Sequence, residues 1–106
     1  MVSAEEFAEL ALAFNGVTRH QHFERLAFKA RVIFATLAAD GLSANVKFSV
    51  EDQQFKVMLA PELFSPLNNA WGRQGWTQID LTRIEASELN AALALAYAAT
   101  RVKKAK

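Results

Sequence analysis

The chain has 106 residues, with 12 Lys+Arg against 11 Asp+Glu and a net charge of +1 when both histidines are neutral. That length suits one domain able to bury a core without covalent staples. The absence of cysteine excludes disulfide scaffolds, thiolate zinc sites, iron–sulfur clusters and cysteine nucleophiles, and it suits a reducing compartment. Twenty alanines inflate the 52% hydrophobic fraction, so much of the core volume must come from eight phenylalanines and two tryptophans. No apolar run approaches the ~20 residues of a membrane span. Glu5, Glu6 and Glu9 stand where a signal peptide would be basic. The expectation is a single cytoplasmic domain over residues 1–106, with 101–106 as a basic flexible tail.

Ser3 and Glu6 have the spacing of a capping box, and Phe7, Leu10, Ala11 and Phe14 follow at helical intervals. Asn15-Gly16 closes that helix. From Thr18 the period changes to two. Leu26, Phe28 and Ala30 alternate with Ala27, Lys29 and Arg31, a half-buried strand with a basic outer side. Residues 32–37 are largely apolar on both faces, as in a central strand. After the Asp40-Gly41 turn, Ala44, Val46 and Phe48 alternate with Ser43, Asn45 and Lys47. These are three successive antiparallel strands, with room for a short one before them at residues 19–23.

Ser49 caps a second helix with Glu51 and Asp52 in its first turn. Phe55, Met58 and Leu59 read as its core-facing stripe, and Pro61 stops it. Residues 62–75 hold Pro66, Asn68, Asn69, Gly72 and Gly75 and read as a loop. In residues 76–81 Thr77, Ile79 and Leu81 point inward against Gln78 and Asp80. A last helix starts near Glu85, with Leu89, Leu93, Ala96, Tyr97 and Thr100 on one side. Strands grouped together argue for an α+β fold, an antiparallel sheet with helices packed on it.

Chemistry-bearing patterns are sparse. His20, His22 and Glu24 share one face of an extended segment, the start of a metal site, but no fourth ligand is placed and none is expected to bind. Gly72-Arg73-Gln74-Gly75 has the spacing of a backbone-clamping G-x-x-G loop, yet it leads into a strand and reads as a glycine-rich turn. No nucleophile elbow, P-loop or dinucleotide fingerprint is present, so no enzyme and no cofactor are expected. Charge is segregated: residues 1–18 carry −3, 19–47 carry +3, 48–98 carry −3 and 99–106 carry +4. Lys29, Arg31 and Lys47 at outward positions would form a basic patch, and Arg73 with Trp71 and Trp76 would add a stacking platform. One tryptophan is expected to be buried and structural, the other to line a groove with Arg73.

His22-Phe23, Phe28, Ile33-Phe34-Ala35, Asn45-Val46-Lys47-Phe48 and the run from Trp71 to Thr77 occur in a familiar order, followed by Leu81, Glu88-Leu89 and Tyr97. With these the chain resembles the MmcQ/YjbR-like family, small bacterial proteins described as predicted DNA-binding with a double-wing motif, over about residues 7–100. The resemblance implies an α-β(3)-α-β(2)-α order like that of secretion chaperones, with a further strand between Glu62 and Trp71. Family members often carry Gly-Lys where this chain has Arg31-Val32. The expected function is DNA binding through Lys29, Arg31, Lys47, Arg73, Trp71 and Trp76. The alternative is a peptide- or protein-binding module, and a third reading places a small ligand beside His22. A monomer or weak homodimer without membrane partners is expected.

Overall fold

In the computed structural model, which describes residues 1–101, the capping box forms as spaced. Ser3 Oγ accepts from the Glu6 amide at 3.1 Å and Glu6 Oε1 accepts from the Ser3 amide at 3.0 Å. Helix α1 (Ala4–Leu12) runs from this cap and buries Phe7, Ala8 and Ala11. Four antiparallel strands follow: β1 (Thr18–His22), β2 (Arg25–Lys29), β3 (Ile33–Leu37) and β4 (Ser43–Lys47). Helix α2 (Val50–Leu59), β5 (Phe64–Pro66), the short α3 (Ala70–Arg73), β6 (Trp76–Asp80) and α4 (Ala86–Ala99) complete the order. The six strands form one sheet in the order β1-β2-β3-β4-β6-β5, antiparallel throughout.

The α+β class with helices packed on an antiparallel sheet is as expected, and three local assignments are filled in or changed. Four strands precede α2, the earliest filling the short stretch left open at residues 19–23. The first, at the sheet edge, is exposed at all five residues, which is why Thr-Arg-His-Gln-His carries no apolar alternation. The loop expected over residues 62–75 holds β5, the strand the resemblance implied, and α3. The third change concerns α2, whose expected core stripe faces solvent: Phe55, Met58 and Leu59 are 53%, 70% and 61% exposed. A polar side chain sets that rotation. Gln53 is buried, and its Nε2 donates to the carbonyls of Gly72 at 2.9 Å and Trp76 at 3.1 Å. Turning α2 to bury the apolar stripe would break both bonds and leave the Gln53 amide buried or displaced without them.

Helices α1 and α4 cover one face of the sheet. Cross-strand rows on that face read Leu26, Leu37, Ala44, Ile79, Phe64 and Phe28, Ala35, Val46, Thr77. All but the half-buried Leu26 are buried. Against them α4 sets Leu89, Ala92, Leu93 and Ala96. The register slips between Phe28 and Lys29, inserting Phe34 between the pairs Phe28–Ala35 and Lys29–Ile33. Such an extra residue re-aims side chains. Phe34 meets Phe14 and Tyr97 edge-on at 6.5 and 5.9 Å, while Phe14 and Tyr97 stack at 4.9 Å. Tyr97 also donates its hydroxyl to the Asn15 carbonyl at 2.7 Å, tying α4 to the end of α1. Among the described residues no helix is long and apolar enough to cross a membrane. Lys103, Lys104 and Lys106 of the expected tail lie outside the described residues.

Candidate functional site

Among the described residues, no pair of helices covers the other face of the sheet. A row runs across all six strands there: His20, Ala27, Thr36, Asn45, Gln78 and Ser65. One row toward the β1–β2 turn, His22 pairs with Arg25; on the other side Lys29 pairs with Ile33 and Lys47 with Trp76. Arg25 lies back over the sheet, donating Nε to Thr36 Oγ1 at 2.9 Å, with Nη2 a long 3.5 Å from the Thr36 carbonyl. It is half-buried, and that burial draws its pKa down, countered by attraction to Asp40. No carboxylate among the described residues lies within ion-pair distance of it.

Above this row α3 brings a lid of one side chain. Asn69 caps the helix by accepting from the Trp71 and Gly72 amides at 3.0 and 3.2 Å. Gly72 packs so closely on the Leu67 backbone that a Cβ there would overlap the Leu67 carbonyl oxygen. Gly75, at φ +112°, likewise leaves no room for a Cβ beside the Phe48 carbonyl. The two glycines hold the Trp71–Trp76 segment against the sheet. Between that segment and the strands lies a cavity of about 360 Å³. Ile33, Leu67, Trp71 and Trp76 give it apolar walls; His22, Arg25, Thr36 and Asn45 give it polar ones. The Asn45 Oδ1 is buried without a hydrogen-bond partner in the protein, an arrangement that costs about 1–3 kcal/mol and is uncommon in folded proteins.

Five of the seven candidate residues come together here. His22, Trp71 and Trp76 line the cavity, and Lys29 and Lys47 stand on the same sheet face with β3 between their strands. Two do not join them. Arg31 is exposed in the bend between β2 and β3, and Arg73 is exposed on α3; neither lines the cavity. The cation beside the tryptophans is Arg25. The tryptophan expectation also changes: Trp76 is half-buried and Trp71 is 58% exposed, so both border the cavity and neither is core. Sequence reasoning missed Arg25, Ile33, Thr36, Asn45 and Leu67. The outward parity of Asn45 with Lys47, and of Arg25 with Lys29, was the available signal. His20 bonds Thr18 Oγ1 at 2.8 Å, and the described residues hold no group of three His, Asp or Glu side chains spaced for a metal.

No family model matches the chain, and no curated protein matches its sequence. Among solved structures, the crystal structure of Deinococcus radiodurans protein DR2400, with the family-model domain DUF419, superposes with a TM-score of 0.82. The two are 18% identical, and the match covers 97% of this chain and 81% of that one. At that identity the likeness speaks for architecture. This chain has the α+β fold of a DUF419-domain protein.

Proposed function

We propose that the domain is a non-enzymatic nucleic-acid-binding module that takes single-stranded DNA across the open face of its sheet. One observation carries the reading: two partly exposed tryptophans border a cavity on the face that also bears Arg25, Lys29 and Lys47. Aromatic rings in a basic groove bind single strands because every base offers a stacking face, whereas a duplex hides those faces. The resemblance to MmcQ/YjbR-like proteins supports DNA as the partner. A binder rather than an enzyme suits the chemistry, since the cavity's hydroxyl, on Thr36, faces a guanidinium donor instead of a base that would activate it.

The test is fluorescence anisotropy with a labelled oligothymidylate and a labelled duplex at several salt concentrations. The single strand should bind more tightly, with a log–log salt slope of about −2 for three phosphate contacts. Absence of single-strand binding at low salt overturns the reading. A second reading rests on β1, an edge strand exposed along its whole length, which offers backbone groups for strand addition by a peptide. Under that reading an extended peptide, rather than the oligonucleotide, shifts the β1 amide resonances.

A further inference from the structure

Resting on the single-strand reading, we infer that the cavity between the Trp71–Trp76 segment and the sheet is a base pocket. It takes one unstacked nucleobase, with Thr36 and Asn45 at the base's polar edge and Arg25 at the adjoining phosphate. The size fits. At about 360 Å³ the cavity lies near the lower end of the ~300–1,000 Å³ typical of small-molecule pockets, room for one ring system rather than a folded segment.

The chemistry of the walls fits the same shape. A nucleobase is apolar on its two faces and polar around its edge. The cavity sets Trp71, Trp76 and Leu67 where faces would pack and Thr36 and Asn45 together on the floor. Those two are cross-strand partners, so their polar atoms are presented side by side. The Asn45 amide borders the cavity, with its Oδ1 buried and lacking a donor. Thr36 Oγ1 already accepts from Arg25, which leaves its own O–H to donate. An amide beside a hydroxyl offers the mixed donor and acceptor chemistry that a base edge needs. Arg25 spends Nε on Thr36 and holds Nη2 only by a long 3.5 Å bond to the Thr36 carbonyl, which leaves Nη1 for an anion beside the base. A half-buried guanidinium with no carboxylate at ion-pair distance among the described residues meets that need. The shared chemistry, a planar heterocycle with a phosphate next to it, also describes a free mononucleotide. The basic row of Lys29 and Lys47 beyond the cavity favours the strand, because one nucleotide would leave those cations unused.

The experiment compares an oligonucleotide with an abasic phosphodeoxyribose strand of equal length, for the native protein and for Asn45→Leu and Thr36→Val. The intact strand should bind the native protein at least about tenfold more tightly than the abasic one, at the same salt slope. Asn45→Leu should lose most of that preference while binding the abasic strand as before and melting no lower than the native protein. Equal binding of intact and abasic strands overturns the pocket and leaves the single-strand reading standing. If neither strand binds, the single-strand reading falls, and the strand-borne base falls with it. A mononucleotide titration followed at the two indole N–H resonances then separates the sources. Shifts without strand binding overturn the strand in favour of a free nucleotide, and shifts that compete with the strand support the proposal.

Discussion

The two faces of this sheet are built from the same strands and do opposite things. On the helix-covered face, Phe28, Ala35, Val46 and Ile79 meet Phe7, Leu89 and Leu93, and almost every atom is removed from water. On the open face, one residue along each strand, Arg25, Thr36, Asn45 and Trp76 surround a cavity, and one of their polar atoms is left unpaired. The covered face supplies folding free energy through apolar burial, at roughly 25 cal/mol per Å². The open face forgoes part of that gain, which under the proposed function leaves its groups ready for a ligand. A change on the covered face should therefore be felt as lost stability, and one on the open face as lost binding.

Phe34→Ala should give the largest effect, because it empties the ring cluster with Phe14 and Tyr97. A loss of about 3–5 kcal/mol in denaturant-derived stability is expected, with the remaining folded molecules binding an oligonucleotide normally. A loss under about 1 kcal/mol would mean that the covered face does not carry the fold.

Gly72→Ala should strike both properties at once, since the new Cβ meets the Leu67 carbonyl and pushes α3 off the sheet. A stability loss above about 1 kcal/mol, with a red-shifted tryptophan emission and weakened binding, would mark α3 as the bridge between the faces.

Trp71→Ala separates the faces most cleanly. With 58% of the residue exposed, its removal should change stability by only about 0.5 kcal/mol. Strand binding should weaken by about 1–3 kcal/mol, measured by titration calorimetry. A large drop in melting temperature with unchanged affinity would move Trp71 into the scaffold.

The smallest effect concerns acid. Asp80 accepts from the Thr82 hydroxyl at 2.6 Å and its amide at 3.0 Å. The hydroxyl bond leads in holding its carboxyl below the ordinary aspartate value, opposed next by desolvation and helped by the Thr82 amide and Arg83. A depressed folded pKa adds stability above the unfolded value and loses it as pH falls through the folded one. Thr82→Val should raise the carboxyl's NMR titration midpoint toward the ordinary value and trim stability slightly at pH above that value, a difference that fades as pH falls through the folded midpoint, leaving binding at neutral pH unchanged.

Much of this was legible residue by residue. The capping box at Ser3, the helix stripe through Phe7 and Ala11, and the inward sets Ala44–Val46–Phe48 and Thr77–Ile79–Leu81 depend on interactions a few residues long. So did the outward side of Lys29, Lys47 and Trp76. Edge strand β1 was only half legible, because a strand exposed on every residue carries no pattern of burial. Arg31 and Arg73 were grouped with the site on charge and spacing alone, and the bend at residues 30–32 and the exposed side of α3 set them apart.

The sequence by itself determined which residues of β2, β4 and β6 and of the first and last helices would face a core, since burial repeats with the period of the backbone. Only the tertiary structure decided how α2 is rotated, because the Gly72 and Trp76 carbonyls that hold Gln53 lie 19 and 23 residues away. It alone decided the cavity too. His22, Arg25, Thr36, Asn45, Trp71 and Trp76 come from β1, β2, β3, β4, α3 and β6, and no local period relates them. Which outward side chains end up around a pocket depends on the twist of the sheet and on where α3 crosses it, and those follow from the packing of the whole chain.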